Sequence, residues 1–237
     1  MTANCPHAPR KPATLGVELR ELPSGTRLVR FHSPEYPALS FNPNVDSAGA
    51  PRSMAISTEG ARFNPFPDTA GVNVSTLYAG TTEHAAALES VFHDMPHAPD
   101  PTFATSTLTD FVLSRFSLQR PLHVLELVNS QLRQVTVPRR KKLSLQESEI
   151  VHSCPDQYPI SRQWARYFYL SLPRLQGLAW RPRLGGEGTS YVFFGERLSV
   201  PIDFQLEGSP TPIDAGAGRI MVEKIAAAAH ITLINTK

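Results

Sequence analysis

The sequence predicts a mixed α+β domain, and three observations predict it. Short runs of strand length alternate along the chain with two or three stretches of helical periodicity, the pattern of an α+β fold. The composition, 41% hydrophobic and 19% charged, suits a chain that builds a core and does not suit a disordered one. Proline occurs 22 times in 237 residues, well above the usual ~5%, so connections should be irregular and elements short. This length makes one substantial domain or at most two small ones. The division expected is a tail or extension over residues 1–25 and a single domain over 26–237, with no internal repeat.

Taken in order, the tail carries Pro6, Pro9, Pro12 and Pro23. Residues 26–32 form the first strand candidate, and 33–60 read as a long polar loop with at most one short element. Residues 61–64 and 75–80 are the next strand candidates. Thr82 then caps a helix expected over 83–94, ending before Pro96. The nearly continuous apolar run 122–128 reads as a central strand, and the basic run 139–142 as a solvated turn. A helix follows over 159–172, with Ile160, Trp164, Phe168 and Ser171 on one stripe. Strand candidates at 177–181 and 190–195 precede a last helix at 219–229.

Several function classes drop out. The formal net charge is +2, too small for direct nucleic-acid binding. Of the 23 basic residues 18 are arginine. That skew suits the reading of phosphate or carboxylate groups, although a GC-rich coding sequence produces it as well. No run of 18 apolar residues crosses a membrane, and residues 1–16 lack the apolar core of a secretory signal. With only Cys5 and Cys154 present, a disulfide framework is not expected and a reducing cytoplasm is. The signatures G-x-S-x-G, H-E-x-x-H and G-x-x-x-x-G-K-[ST] are absent. His93 and His97 have a metal-ligand spacing, but Pro96 breaks their helix and no third ligand lies nearby. Gly216-Ala217-Gly218 reads as a helix-start turn, and Cys154-Pro155 offers a thiol without a base.

The helix after residue 82 carries more information. At 100° per residue with Ala85 at zero, Leu88 and Phe92 flank one stripe, and Glu89 falls inside it while Glu83 points away. A carboxylate on a buried face needs a partner, either a structural arginine or a ligand. Arg30 lies within an apolar strand, where alternation groups it with Leu28 and His32 against Val29 and Phe31. Arg62 sits between Ala61 and Phe63. Both arginines suit a structural ion pair or an anion. Tyr78 ends a strand next to the helix, placed for core packing or for covering a ligand ring.

These pieces together resemble the RES-domain family: Arg30; then Gly60-Ala61-Arg62-Phe63-Asn64-Pro65; then Leu77-Tyr78-Ala79-Gly80-Thr81-Thr82 with Ala85 and Glu89. Tyr158-Pro159-Ile160-Ser161-Arg162-Gln163-Trp164-Ala165, Gly177-Leu178-Ala179-Trp180-Arg181-Pro182-Arg183 and Phe193-Phe194-Gly195-Glu196-Arg197 extend the likeness, which covers roughly residues 26–205. The family's members are NAD-consuming toxins of bacterial toxin–antitoxin modules, named for characteristic Arg, Glu and Ser residues. The resemblance implies a small split β-sheet core with helices, similar to ADP-ribosyltransferases. It also implies cleavage of the nicotinamide–ribose bond of NAD, with growth arrest as the outcome. NAD is then the substrate, with no resident cofactor or metal, and the acceptor is water, phosphate or a protein side chain. Glu89, Arg62 and Tyr78 take the catalytic roles, and Arg30, Arg62, Tyr78 and Ser190 the substrate contacts. The implied partner is a helical DNA-binding antitoxin protein, and a homodimer stays open. One departure is plain: Pro182 stands where the family's W-R-S-R-like pattern has serine, so Thr189 or Ser190 would have to supply the hydroxyl. A protein ADP-ribosyltransferase and a non-catalytic nucleotide-binding protein are the alternatives.

Overall fold

A computed structural model describes residues 5–93, 95, 100–135, 144–182, 187–200 and 202–235. The strands are β1 (Arg20–Leu22), β2 (Arg27–His32), β3 (Thr76–Gly80), β4 (Thr102–Ala104), β5 (Val112–Leu118), β6 (Leu122–Glu126), β7 (Gly177–Trp180), β8 (Ser190–Phe194), β9 (Phe204–Pro212) and β10 (Thr232–Ile234). The helices are α1 (Glu83–Leu88), α2 (Asn129–Leu132), α3 (Glu147–Ile150), α4 (Tyr158–Ser171) and α5 (Gly216–Ala228). The fold is α+β, with a curled half-barrel of eight strands ordered β1-β6-β7-β8-β3-β2-β5-β9 and a separate two-stranded ribbon, β10-β4. Within the large sheet only β6 and β7 run parallel; the other neighbours are antiparallel.

Strand alternation divides the core into two faces. Leu28, Leu77, Ala79, Phe116, Tyr191 and Phe193 fill the strand-lined face. On the other face, Val29 and Phe31 meet α1 and α5, while Val192 and Phe194 meet α4. Helix α4 supplies Trp164, Ala165 and Phe168 to that layer, all fully buried. The predicted stripe is only partly right, because Tyr158, Ser161 and Arg162 are buried too.

Two expectations are corrected. Residues 61–64 form a tight turn, not a strand, closed by Ala61 N–H donating to Asn64 O at 2.9 Å and Asn64 N–H to Ala61 O at 3.4 Å. Gly60 precedes it with φ +90°, and a Cβ there would lie 2.5 Å from Pro65 Cδ, so both conformation and space demand glycine. Helix α1 stops at Leu88, short of the expected end. Ser90 Oγ bonds back to Ala86 O at 2.5 Å and Phe92 N–H reaches Ala87 O, which competes with continued helix. The predicted end at Asp94 and the basic run 139–142 lie outside the described residues.

The N-terminal extension is tied to the domain at points: Trp164 Nε1 donates to Pro6 O at 2.7 Å and Ala13 N–H donates to Ser171 Oγ, while residues 10–14 are exposed. Cys5 itself is 4% exposed, and β1 adds an edge strand to β6. Prolines hid this segment from periodicity while leaving its carbonyls free to accept. Among the described residues no helix is long and apolar enough to cross a membrane.

Candidate active site

The site begins with how α1 is seated. Thr82 Oγ1 accepts from Ala85 N–H at 3.0 Å, capping the helix. Gly80 lets the helix close on the end of β3, since a Cβ there would lie 2.6 Å from Ala86 N. From β8 the buried Ser190 hydroxyl donates to Ala85 O at 3.1 Å. This close seat sends the residue following the helix, Glu89, inward, with its side chain 9% exposed.

There Glu89 Oε2 accepts from Arg62 Nη1 at 2.9 Å, and the Arg62 side chain is 6% exposed. Burial works against the guanidinium's charge, but the Glu89 carboxylate and the Tyr158 phenol beside it outweigh that and hold its pKa above the ordinary value. The Tyr158 ring centre lies 5.8 Å from Arg62 Cζ, close enough for the ring face to attract the cation.

Tyr78 reaches the same turn from β3. Its hydroxyl donates to Asn64 Oδ1 at 2.7 Å and accepts from Phe63 N–H at 3.4 Å. Its ring meets Trp180 edge-on at 6.1 Å. Burial pushes the phenol upward in pKa, so at neutral pH it is an uncharged donor. Asn64 is held in turn by Asn44, whose side-chain oxygen accepts from Asn64 Nδ2 at 2.5 Å, and Asn44 Nδ2 donates to Val74 O.

Three of the five expected site residues thus gather around one turn: Arg62, Glu89 and Tyr78. Ser190 is used differently. Its hydroxyl tethers α1 through Ala85. Arg30 does not join them. Alternation places it with Leu28 on the strand-lined face, opposite Tyr78, and its Nη1 donates to Ala38 O and Ser40 O at 3.0 and 2.9 Å. Burial pulls this guanidinium down to about 10. Arg30 therefore anchors the loop after β2. Pro182 follows β7 and is buried, without a hydroxyl to offer. Thr189 pairs through its backbone N–H with Thr81 Oγ1.

Sequence reasoning missed Asn64, Tyr158, Ser161 and Arg162 as parts of this environment. Tyr158, Arg162, Ala165 and Tyr169 recur at helical spacing, and that second stripe on α4 was the available signal.

The features set aside stay outside the cluster. His93 Nδ1 lies 2.7 Å from Ser90 O, and His97 is outside the described residues. Among the described residues, no three His, Cys, Asp or Glu side chains gather in a metal-binding group. Cys154 is half-buried, and Gly216 opens α5. A cavity of about 950 Å³ lies between residues 5–12 and α4, bordered by Cys5, Met54, Ile160 and Tyr167, and its lining includes none of Arg62, Tyr78 and Glu89.

No curated protein matches the chain. The family model for the RES domain matches residues 27–207, which takes in β2, the Arg62 turn, β3, α1 with Glu89, α4 and the strands through the first part of β9. The chain belongs to the RES-domain family, whose function at the level of the family is NAD-related and associated with toxin–antitoxin modules.

Proposed function

We propose that the protein cleaves the bond between nicotinamide and ribose in NAD and acts as a growth-arresting toxin. The observation that carries this reading is the buried Arg62–Glu89 pair beside the Tyr78 hydroxyl, within a chain of this family. The nicotinamide of NAD leaves with the bonding electron pair and becomes neutral, so expelling it needs no general acid. The chain has to hold the dinucleotide and stabilise the positive charge that grows on the ribose. Glu89 supplies a fixed negative charge in a dry setting, where electrostatic stabilisation is strongest. On binding, the Arg62 guanidinium turns from the carboxylate to a phosphate oxygen, exchanging one charge-assisted bond for another. Glu89 then holds the ribose hydroxyls. Tyr78, an uncharged donor, orients the nicotinamide end. Water or inorganic phosphate adds to the ribose carbon and loses its proton to solvent. A protein side chain as acceptor would make the enzyme a transferase. A helical DNA-binding antitoxin is the partner that this reading entails.

The buried Pro182 favours a second reading, in which the protein binds NAD and leaves it intact. Incubating purified protein with NAD, with and without phosphate, separates the two. Release of nicotinamide with ADP-ribose or its phosphorylated form is expected, and Glu89→Gln should slow it about 100-fold or more. Bound NAD that persists unchanged would establish the second reading.

A further inference from the structure

Arg162 is fully buried, yet all four of its side-chain hydrogen bonds end on backbone carbonyls. Nε donates to Ala61 O at 2.8 Å, Nη1 to Ile56 O at 2.7 Å and to Met54 O at 3.4 Å, and Nη2 to Ser57 O at 3.3 Å. Carbonyl dipoles compensate a buried cation less fully than a carboxylate does, and an apolar residue of similar volume is often the more stable choice. The fork instead gathers the chain from Met54 to Ala61 onto the N-terminal half of α4. Its neighbour Ser161, also fully buried, donates through its hydroxyl to the carbonyl of Arg62 itself at 2.8 Å. Tyr158, one turn before Arg162, has its ring centre 5.9 Å from Arg162 Cζ and 5.8 Å from Arg62 Cζ. Contacts from Tyr158, Ser161 and Arg162 near the start of α4 thus reach the two residues that open the Arg62 turn and the Arg62 guanidinium.

We infer that Arg162, with Ser161, is a positioning residue that locks the backbone at Ala61 and Arg62, which fixes the point from which the Arg62 guanidinium turns from Glu89 to the phosphate. The inference deepens the proposed NAD cleavage and rests on it for its kinetic readout, but its structural content stands apart. The side-chain hydrogen bonds of both residues end on backbone carbonyls of the loop and of α4. Their effect on turnover passes through Arg62. A guanidinium is required because one lysine nitrogen cannot reach carbonyls on both sides of the loop in a planar fork.

The test uses the full chain with Arg162→Met, Arg162→Lys and the milder Ser161→Ala. Hydrogen exchange of backbone amides is expected to quicken about fivefold or more over residues 54–64 in Arg162→Met and Ser161→Ala, the change that one lost hydrogen bond produces, with the remaining sheet unaltered. NAD turnover by Arg162→Met should fall about tenfold or more in kcat/KM, since a displaced reacting group costs up to about 100-fold. Arg162→Lys should recover little of it. In an Arg62→Leu background, Arg162→Met should cost nothing further. An equal loss in both backgrounds, or unchanged exchange over 54–64, overturns the inference. If Arg162→Met fails to fold, Ser161→Ala carries the same two readouts. If the wild-type protein leaves NAD intact, the proposed function fails, while the exchange measurement alone still decides whether the clamp exists.

Discussion

Replacing Glu89 by glutamine removes a charge and keeps the shape. The Arg62–Glu89 pair has side chains only 6% and 9% exposed, so solvent screens it little. Breaking such a pair by neutralising one partner typically costs about 3–5 kcal/mol, because the remaining charge stays buried. Glutamine retains an oxygen that can accept from Arg62, which places the expected cost near the lower end, about 3 kcal/mol. For a domain of this size each kcal/mol lowers the melting temperature by roughly 2–4 °C, so a drop of about 6–12 °C should follow. The double variant Arg62→Met, Glu89→Gln removes both charges and should lose at least ~1 kcal/mol less than the sum of the single variants. Urea unfolding of the four proteins, with equal m-values as a check on two-state behaviour, gives the coupling. Strict additivity would show that the two groups do not stabilise each other and would refute the reasoning.

Three further outcomes are expected. Tyr78→Phe leaves Asn64 Oδ1 without its donor and should cost about 1–3 kcal/mol in urea unfolding, with a lower kcat for NAD; unchanged values for both would exclude Tyr78 from the site. Burial, then the nearby Arg30 charge, depresses the His32 pKa below 6.5. The unfolded chain therefore takes up the proton first, and stability present above pH 6.5 should be lost as pH falls through the folded value; His32→Asn should flatten that acid limb in pH-dependent unfolding. Trp164→Phe deletes the bond to Pro6 O, and limited proteolysis should then cut residues 5–13 faster at a stability cost of about 1 kcal/mol.

The legible parts of the fold were those written in side-chain period. Leu28, Val29, Arg30 and Phe31 alternate between two faces as strand residues must, and the two faces they name are the two faces found, both of them buried. The inward angle of Glu89 was readable from Ala85, Leu88 and Phe92, although its helix ended early, because direction survives the loss of a terminal turn. Strand β9 escaped notice: all but its first residue lie at least partly open to solvent, so no apolar period marks it. The 61–64 turn looked like a strand because its side chains alternate, while backbone bonds between Ala61 and Asn64 decide otherwise. Arg30 shows a different limit. Alternation told which neighbours share its face, but only tertiary structure tells that this face is opposite Tyr78. Arg162 was hidden because its partners are carbonyls, which every residue carries.

A crystal structure with an uncleavable NAD analogue, its ribose oxygen replaced by carbon, asks the decisive question. Glu89 should lie within hydrogen-bond distance of the ribose hydroxyls of the nicotinamide half, with Arg62 released onto the pyrophosphate and Tyr78 against the nicotinamide. An analogue bound elsewhere, with Arg62 and Glu89 still joined at 2.9 Å, would contradict the assignment of this cluster as the place where NAD is cleaved.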